Sequence, residues 1–244
     1  MRMRQLPKYL TILLAVIIII LYSAAGVKRN SLWKDEYSIW SDTSRKSQQK
    51  ARVHNTLGNA YHKRGLIDKA IEHYQIALRL KPYYPEAHNN LGNACYDKGW
   101  VDSAIEHYEA AINLWPDFAE AHNNLGTAYQ DKGLIDKAIE ELKTALVLNP
   151  NFAGAHNNLG ISYYRKGMID NAIWHFEKAA ALEPDFPEAH YNLGIAYHGR
   201  GWIDRAILQY ETAIKLKPDY SEARENLKIA LRDLTGSKPS RYPP

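Results

Sequence analysis

Five histidines recur at a fixed interval: His54, His88, His122, His156 and His190 stand thirty-four residues apart. Imidazole is a common metal ligand, so zinc is the first chemistry such a row suggests. A second row, His73, His107 and His175, keeps the same register, one copy being skipped before the last. The setting argues against a metal. The first row sits in HNTLG at 54–58, in HNNLG at 88–92, 122–126 and 156–160, and in HYNLG at 190–194. If each copy lies on an equivalent helix, neighbouring copies are at least ~8–10 Å apart. Two such imidazoles cannot both reach one zinc at ~2.1 Å. The second row meets the same objection. We therefore expect no metal site, and half-buried structural roles for the rings.

Other catalytic chemistry finds no support. The chain has no phosphate-binding glycine loop and no nucleophile–base motif, so we expect no enzyme activity and no cofactor. The single cysteine, Cys95, excludes an intramolecular disulfide. Formal net charge is +4, but the stretch 51–234 carries −4 and the flanks +8. A nucleic-acid-binding domain would concentrate its basic residues on the folded part, so nucleic acid is not an expected partner.

The asparagines beside the histidines are more informative. Asn90, Asn124, Asn158 and Asn192 share one register, with Thr56 in the first copy. On a helix, residues three, four and seven away share their face. That face reads Glu86, Asn90, Asn93 and Asp97 in one copy, and Glu120, Asn124, Thr127 and Asp131 in the next. It has no apolar stripe, so it belongs to a surface. A row of amides there can donate to and accept from a peptide backbone without reading side chains. On this reading, changing these asparagines to Ala alters stability little.

The elements that must position these residues follow from the period. Pro82, Pro116, Pro150, Pro184 and Pro218 are thirty-four apart, as are Gly58, Gly92, Gly126, Gly160 and Gly194. Gly65 and Ala70 head two further rows with that step. Within one copy, Val53, Leu57, Ala60 and Tyr61 give one apolar helix face, and Ala70, Ile71, Tyr74, Ala77 and Leu78 give another. Gly65 suits the end of the first helix, Asp68 is placed to cap the second, and Pro82 stops it. Asp117, Asn151, Asp185 and Asp219 are placed to cap the helix after each later proline. Gly58 and Ala70 are small, which predicts a close approach of two helix backbones. Each unit is a helix–turn–helix whose apolar face needs a neighbour to cover it.

The pattern of Leu57, Gly58, Tyr61, Gly65, Ala70, Tyr74, Ala77 and Pro82 resembles the tetratricopeptide repeat, and it recurs from 85, 119, 153 and 187. Cys95 and Leu142 depart from it without threatening the fold. The resemblance implies an all-α, right-handed superhelical solenoid of five TPR helix–turn–helix repeats, at 51–84, 85–118, 119–152, 153–186 and 187–220. A capping helix at 221–234 and a disordered tail at 235–244 follow. In such a superhelix the first helices line the concave side. The asparagine row is similar to that of O-linked N-acetylglucosamine transferases, where it holds extended peptides. This implies a peptide-binding groove of Asn90, Asn124, Asn158, Asn192, Asn93, Glu86, Asp97, Glu120 and Asp131. Its middle is acidic, while Ile161 and Ile195 make the far end apolar. The expected partner is a protein or extended peptide with basic residues over repeats two and three. The clamp of Lys and Arg used by chaperone-tail binders is replaced here by Asn, Glu or Gly.

Residues 1–8 are basic, and Tyr9–Val27 is an uncharged run of nineteen residues. As a helix it spans roughly 28 Å, close to the ~30 Å core of a bilayer. It reads as a single N-terminal transmembrane helix, with the repeats outside the cytoplasm. The alternative is a signal peptide cut after Ser23-Ala24-Ala25, giving a secreted or periplasmic protein. In the juxtamembrane segment 28–50, Trp33, Tyr37 and Trp40 share a helix face, as in an interfacial belt or a half-repeat. This junction also resembles transmembrane and tetratricopeptide repeat-containing proteins. Two functions follow: a membrane-anchored interaction scaffold, or an accessory, substrate-binding subunit of a membrane glycosyltransferase or other membrane enzyme complex.

Overall fold

The computed structural model describes residues 38–40 and 49–236, and among them the chain is helical with no strands. The helices run α1 (Ala51–His62), α2 (Ile67–Leu80), α3 (Pro85–Asp97), α4 (Val101–Leu114), α5 (Ala119–Asp131) and α6 (Ile135–Leu148). They continue as α7 (Ala153–Arg165), α8 (Ile169–Leu182), α9 (Pro187–Gly199), α10 (Ile203–Leu216) and α11 (Ser221–Thr235). The chain forms two compact units, one ending at Pro82 and the other starting at Tyr83. The first holds the pair α1–α2. The second holds four pairs and α11.

Each pair closes in the same way. Gly65 takes φ +72° after α1; its N–H bonds to His62 O and that of Leu66 to Tyr61 O. This crossed pair of bonds ends the helix on a left-handed residue, a conformation that only glycine adopts without strain. Gly99, Gly133, Gly167 and Gly201 repeat it. Packing inside a pair then refines one expectation. The facing backbone does come close, a Cβ at Gly126 lying 3.3 Å from Ala138 O, but a side chain lies nearer still: a Cβ at Gly160 would lie 2.6 Å from Phe176 Cε1. Tyr74, Tyr108 and Tyr210 fill the same space in other pairs, and each is almost fully buried.

The caps are a correction. Helix α2 starts at Ile67, so Asp68 lies inside its first turn, and no side chain caps it. After the prolines the N-cap positions hold Phe118, Phe152, Phe186 and Tyr220, again without a side-chain cap. Asp117 therefore falls one residue too early. In the third repeat the aromatic ring takes the position because it is buried: Phe118 packs against Ala111 and Ala121 and stacks on Trp115. Apolar burial there outweighs a polar cap.

In the second unit every helix packs on the next, and each first helix also packs on the first helix of the following repeat. No two second helices pack to that extent. The first helices thus form an inner layer, with the second helices spaced outside it. α11 rests on α10 and α9 and ends at Gly236.

Among the described residues no helix is long and apolar enough to cross a membrane. The run Tyr9–Val27, Trp33, Tyr37 and the tail from 237 lie outside the described residues.

Candidate functional site

The inner layer carries the asparagine row, and its geometry explains why two asparagines stand side by side in three of the five copies. Asn124 Nδ2 donates to Asn89 Oδ1 at 3.0 Å and to Asn93 Oδ1 at 3.0 Å, both one repeat earlier. Asn158 Nδ2 repeats this with Asn123 Oδ1 at 3.0 Å and Thr127 Oγ1 at 3.1 Å. Asn192 donates to Asn157 Oδ1 at 2.9 Å, and Asn226 on α11 to Tyr191 Oη at 3.2 Å. One bond from each joins the last asparagine of a copy to the middle position of the copy before, and Asn124 and Asn158 add a second to the residue four further on, Asn93 or Thr127. The acceptors Asn89, Asn123 and Asn157 are buried, so each bond satisfies a polar group that has no water to turn to. The amide is first of all a joint between repeats.

The consequences for the predicted groove differ along it. Asn90, Asn124, Asn158, Asn192 and Asn93 are half-buried, and Glu86, Asp97, Glu120 and Asp131 are exposed. Asn93 Oδ1 is filled twice, by Asn124 and by the Tyr108 hydroxyl at 2.8 Å. Asn124 Oδ1 accepts from Asn123 Nδ2 at 3.2 Å. Asn158 and Asn192 have no donor on Oδ1 among the described residues, so those carbonyls remain open. Asp131 accepts a short hydrogen bond from Tyr96, whose phenol is pushed up to about 12 by burial and then by that carboxylate. At the far end a cavity of about 250 Å³ lies between α7 and α9, lined by Ile161, Tyr164, Arg165, Phe176, Asn192 and Ile195.

The two histidine rows meet each other within a repeat, a contact that the spacing argument, made along each row, does not address. Within a repeat, His54 Nδ1 lies 3.0 Å from His73 Nδ1, His88 Nδ1 3.3 Å from His107 Nδ1, and His156 Nδ1 3.0 Å from His175 Nδ1. His156 Nε2 donates to Pro150 O at 3.1 Å, which leaves its Nδ1 as the acceptor for His175 Nδ1–H. His122 and His190 make the same bond, to Pro116 O and Pro184 O, and Arg224 makes it to Pro218 O in the last copy. The first row therefore ties each of these inter-repeat turns to the helix that follows. No group of three or more His, Cys, Asp or Glu side chains able to hold a metal occurs among the described residues.

One further pair was invisible in the periodicity. Gln130 and Ser162, both buried, are joined by a 2.6 Å bond from Gln130 Nε2 to Ser162 Oγ. The signal available was a double departure: Gln130 stands where Tyr96 and Tyr164 do, and Ser162 where Ala94, Ala128 and Ala196 do.

A profile described as TPR repeat matches residues 58–99, 92–133, 131–167 and 162–201, and one described as tetratricopeptide repeat matches 187–220. Among solved structures the chain is similar to MamA at 31% identity and a TM-score of 0.57, over 68% of this chain and 97% of that one. It is similar to TTC0263, a TPR protein of Thermus thermophilus, at 28% identity and a TM-score of 0.63, over 74% and 98%. YrrB, described as a TPR protein with an unusual peptide-binding site, shares the fold at 23% identity and a TM-score of 0.58, over 78% and 97%. No curated protein matches the chain.

Proposed function

Because the chain belongs to the tetratricopeptide repeat family, we propose that it is a membrane-anchored scaffold that binds an extended peptide along its first helices. The observation that carries this reading is the pairing of two open carbonyls, on Asn158 and Asn192, with the apolar cavity beside Ile161 and Ile195. Peptide N–H groups donate to those carbonyls while one apolar side chain enters the cavity. Both amide hydrogens of Asn158 and one of Asn192 are used between repeats, so the row acts on a peptide mainly as an acceptor. Basic residues of the ligand lie over Glu86, Asp97, Glu120 and Asp131 on α3 and α5. YrrB, with its peptide-binding site, offers a precedent for this use of the fold.

The uncharged run Tyr9–Val27 supplies the anchor, with the repeats outside the cytoplasm. Chemistry belongs to the partner, in keeping with a fold made of repeats whose polar residues serve packing and recognition. An array of peptides that pair basic residues with one large apolar residue tests the reading. The full-length chain retains such peptides, and Ile161→Asp with Ile195→Asp abolishes retention. Retention unchanged by that double variant contradicts it.

A further inference from the structure

The larger cavity lies away from the asparagine row. It measures about 580 Å³, lies between α6, α7 and α8, and shares no lining residue with that row. Leu159 contributes to its lining from α7, with Val147 from α6 and Trp174 from α8, and Lys143 and Lys178 stand on the same two outer helices. Val147 is 79% and Trp174 51% exposed, which leaves a wide, apolar mouth. His156 and His175 complete the wall as a bonded, uncharged pair. Burial chiefly holds both below the ordinary imidazole range, with Lys178 adding to it at His156 and Lys143 at His175.

The repeat itself supplies a control. One copy earlier, the equivalent void is about 360 Å³ and is lined by Glu109, Asn113 and Glu141 among others. Those positions become Lys143, Val147 and His175 here, while Glu140 becomes Trp174 and Thr144 becomes Lys178. The copy kept the hollow, reversed its charge and added an indole. Packing does not require this, since Trp174 and Val147 are exposed. Neither lysine makes an ion pair with a carboxylate among the described residues; Lys178 lies 5.5 Å from the centroid of the Trp174 ring.

We propose that this cavity is a second binding site, which takes an acidic peptide segment carrying one large apolar side chain. That side chain enters between Val147 and Trp174 above Leu159, and flanking carboxylates meet Lys143 and Lys178. The volume is in the ~300–1,000 Å³ range of ligand pockets. Its open mouth suits a side chain still attached to a chain better than an enclosed small molecule. The charge required is opposite to that proposed for the first-helix face, so the two sites select different ligands.

Calorimetric titration of the full-length chain with the blocked peptide DELFED, and with its charge-reversed counterpart KRLFKR, is the test. The acidic peptide binds and the basic one does not bind at this cavity. Two variants graft in residues of the preceding copy and so protect the fold: Lys143→Glu with Lys178→Thr, and Trp174→Glu. Each weakens the acidic peptide by about tenfold or more without lowering the melting temperature. Ile161→Asp on the first-helix face leaves that affinity unchanged. No heat of binding up to about 1 mM acidic peptide overturns the proposal. So does full affinity in the grafted variants, or a loss caused by Ile161→Asp.

Discussion

Asn158 on α7 turns its amide hydrogens back to the preceding repeat, and Asn123 Oδ1, 3.0 Å away, is the buried end of that joint. Removing Asn158 leaves an acceptor on a residue only 9% exposed without its donor. An orphaned buried acceptor costs about 1–3 kcal/mol. Asn158→Ala is therefore expected to lower the unfolding free energy by roughly that amount in urea titrations followed by circular dichroism. Adding Asn123→Ala is expected to cost less than the sum of the single changes, because the orphan is removed. This reverses the sequence-based expectation that these positions tolerate Ala freely. Parent-like stability in Asn158→Ala contradicts the joint.

What was legible in the sequence divides along the same line. Registers of Pro, Gly and Ala thirty-four apart compare like with like, and from them the helix pairs and their turns could be read. The bonds that join helices link unlike positions: Asn158 to Asn123 spans thirty-five residues and His156 to His175 nineteen. No single column of the repeat contains them. Which side chains face each other across a helix pair depends on packing angles, and periodicity is silent on those. The cap error has a local cause. Pro-Asp or Pro-Asn before a helix fits the cap signal, but the aromatic after it claims the N-cap position, and at Phe118 it is buried there.

The histidine pairs make stability depend on pH. Burial first, then His156 and Lys143, lower the folded-state pKa of His175 to about 4 from 6.5. The unfolded chain thus takes up a proton before the folded chain does. Stability is complete above pH 6.5 and is lost as pH falls from there toward 4. His73, His107 and His156 are lowered as well and act in the same direction. His122 is raised by its bond to Glu141, so its contribution is present below 6.5 and fades as pH rises. His175→Gln, which copies Gln209 of the next repeat, is expected to lose less stability between about pH 7 and 4.5 than the parent, by about 1–2 kcal/mol. Parallel profiles of denaturation midpoint against pH for the two proteins contradict this.

The anchor makes a prediction of its own. Expressed at full length, the protein is expected to stay with membranes after an alkaline carbonate wash and to keep Met1 or Arg2 as its first residue. Recovery of a soluble chain that begins at Gly26 means the apolar run was a signal peptide.

The central claim is that the first-helix face holds an extended peptide. Its most direct test takes a basic–apolar peptide selected on the array and measures affinity for the parent and two variants by calorimetry. Asn192→Leu removes an open carbonyl, and Glu86→Lys with Glu120→Lys reverses the acidic stretch. A lost hydrogen bond of about 0.5–1.5 kcal/mol predicts roughly two- to tenfold weaker binding for Asn192→Leu. The charge reversal is predicted to weaken binding at low salt and to flatten its dependence on ionic strength. Parent-like affinity and salt dependence in both variants would place the peptide elsewhere on the molecule and contradict the account.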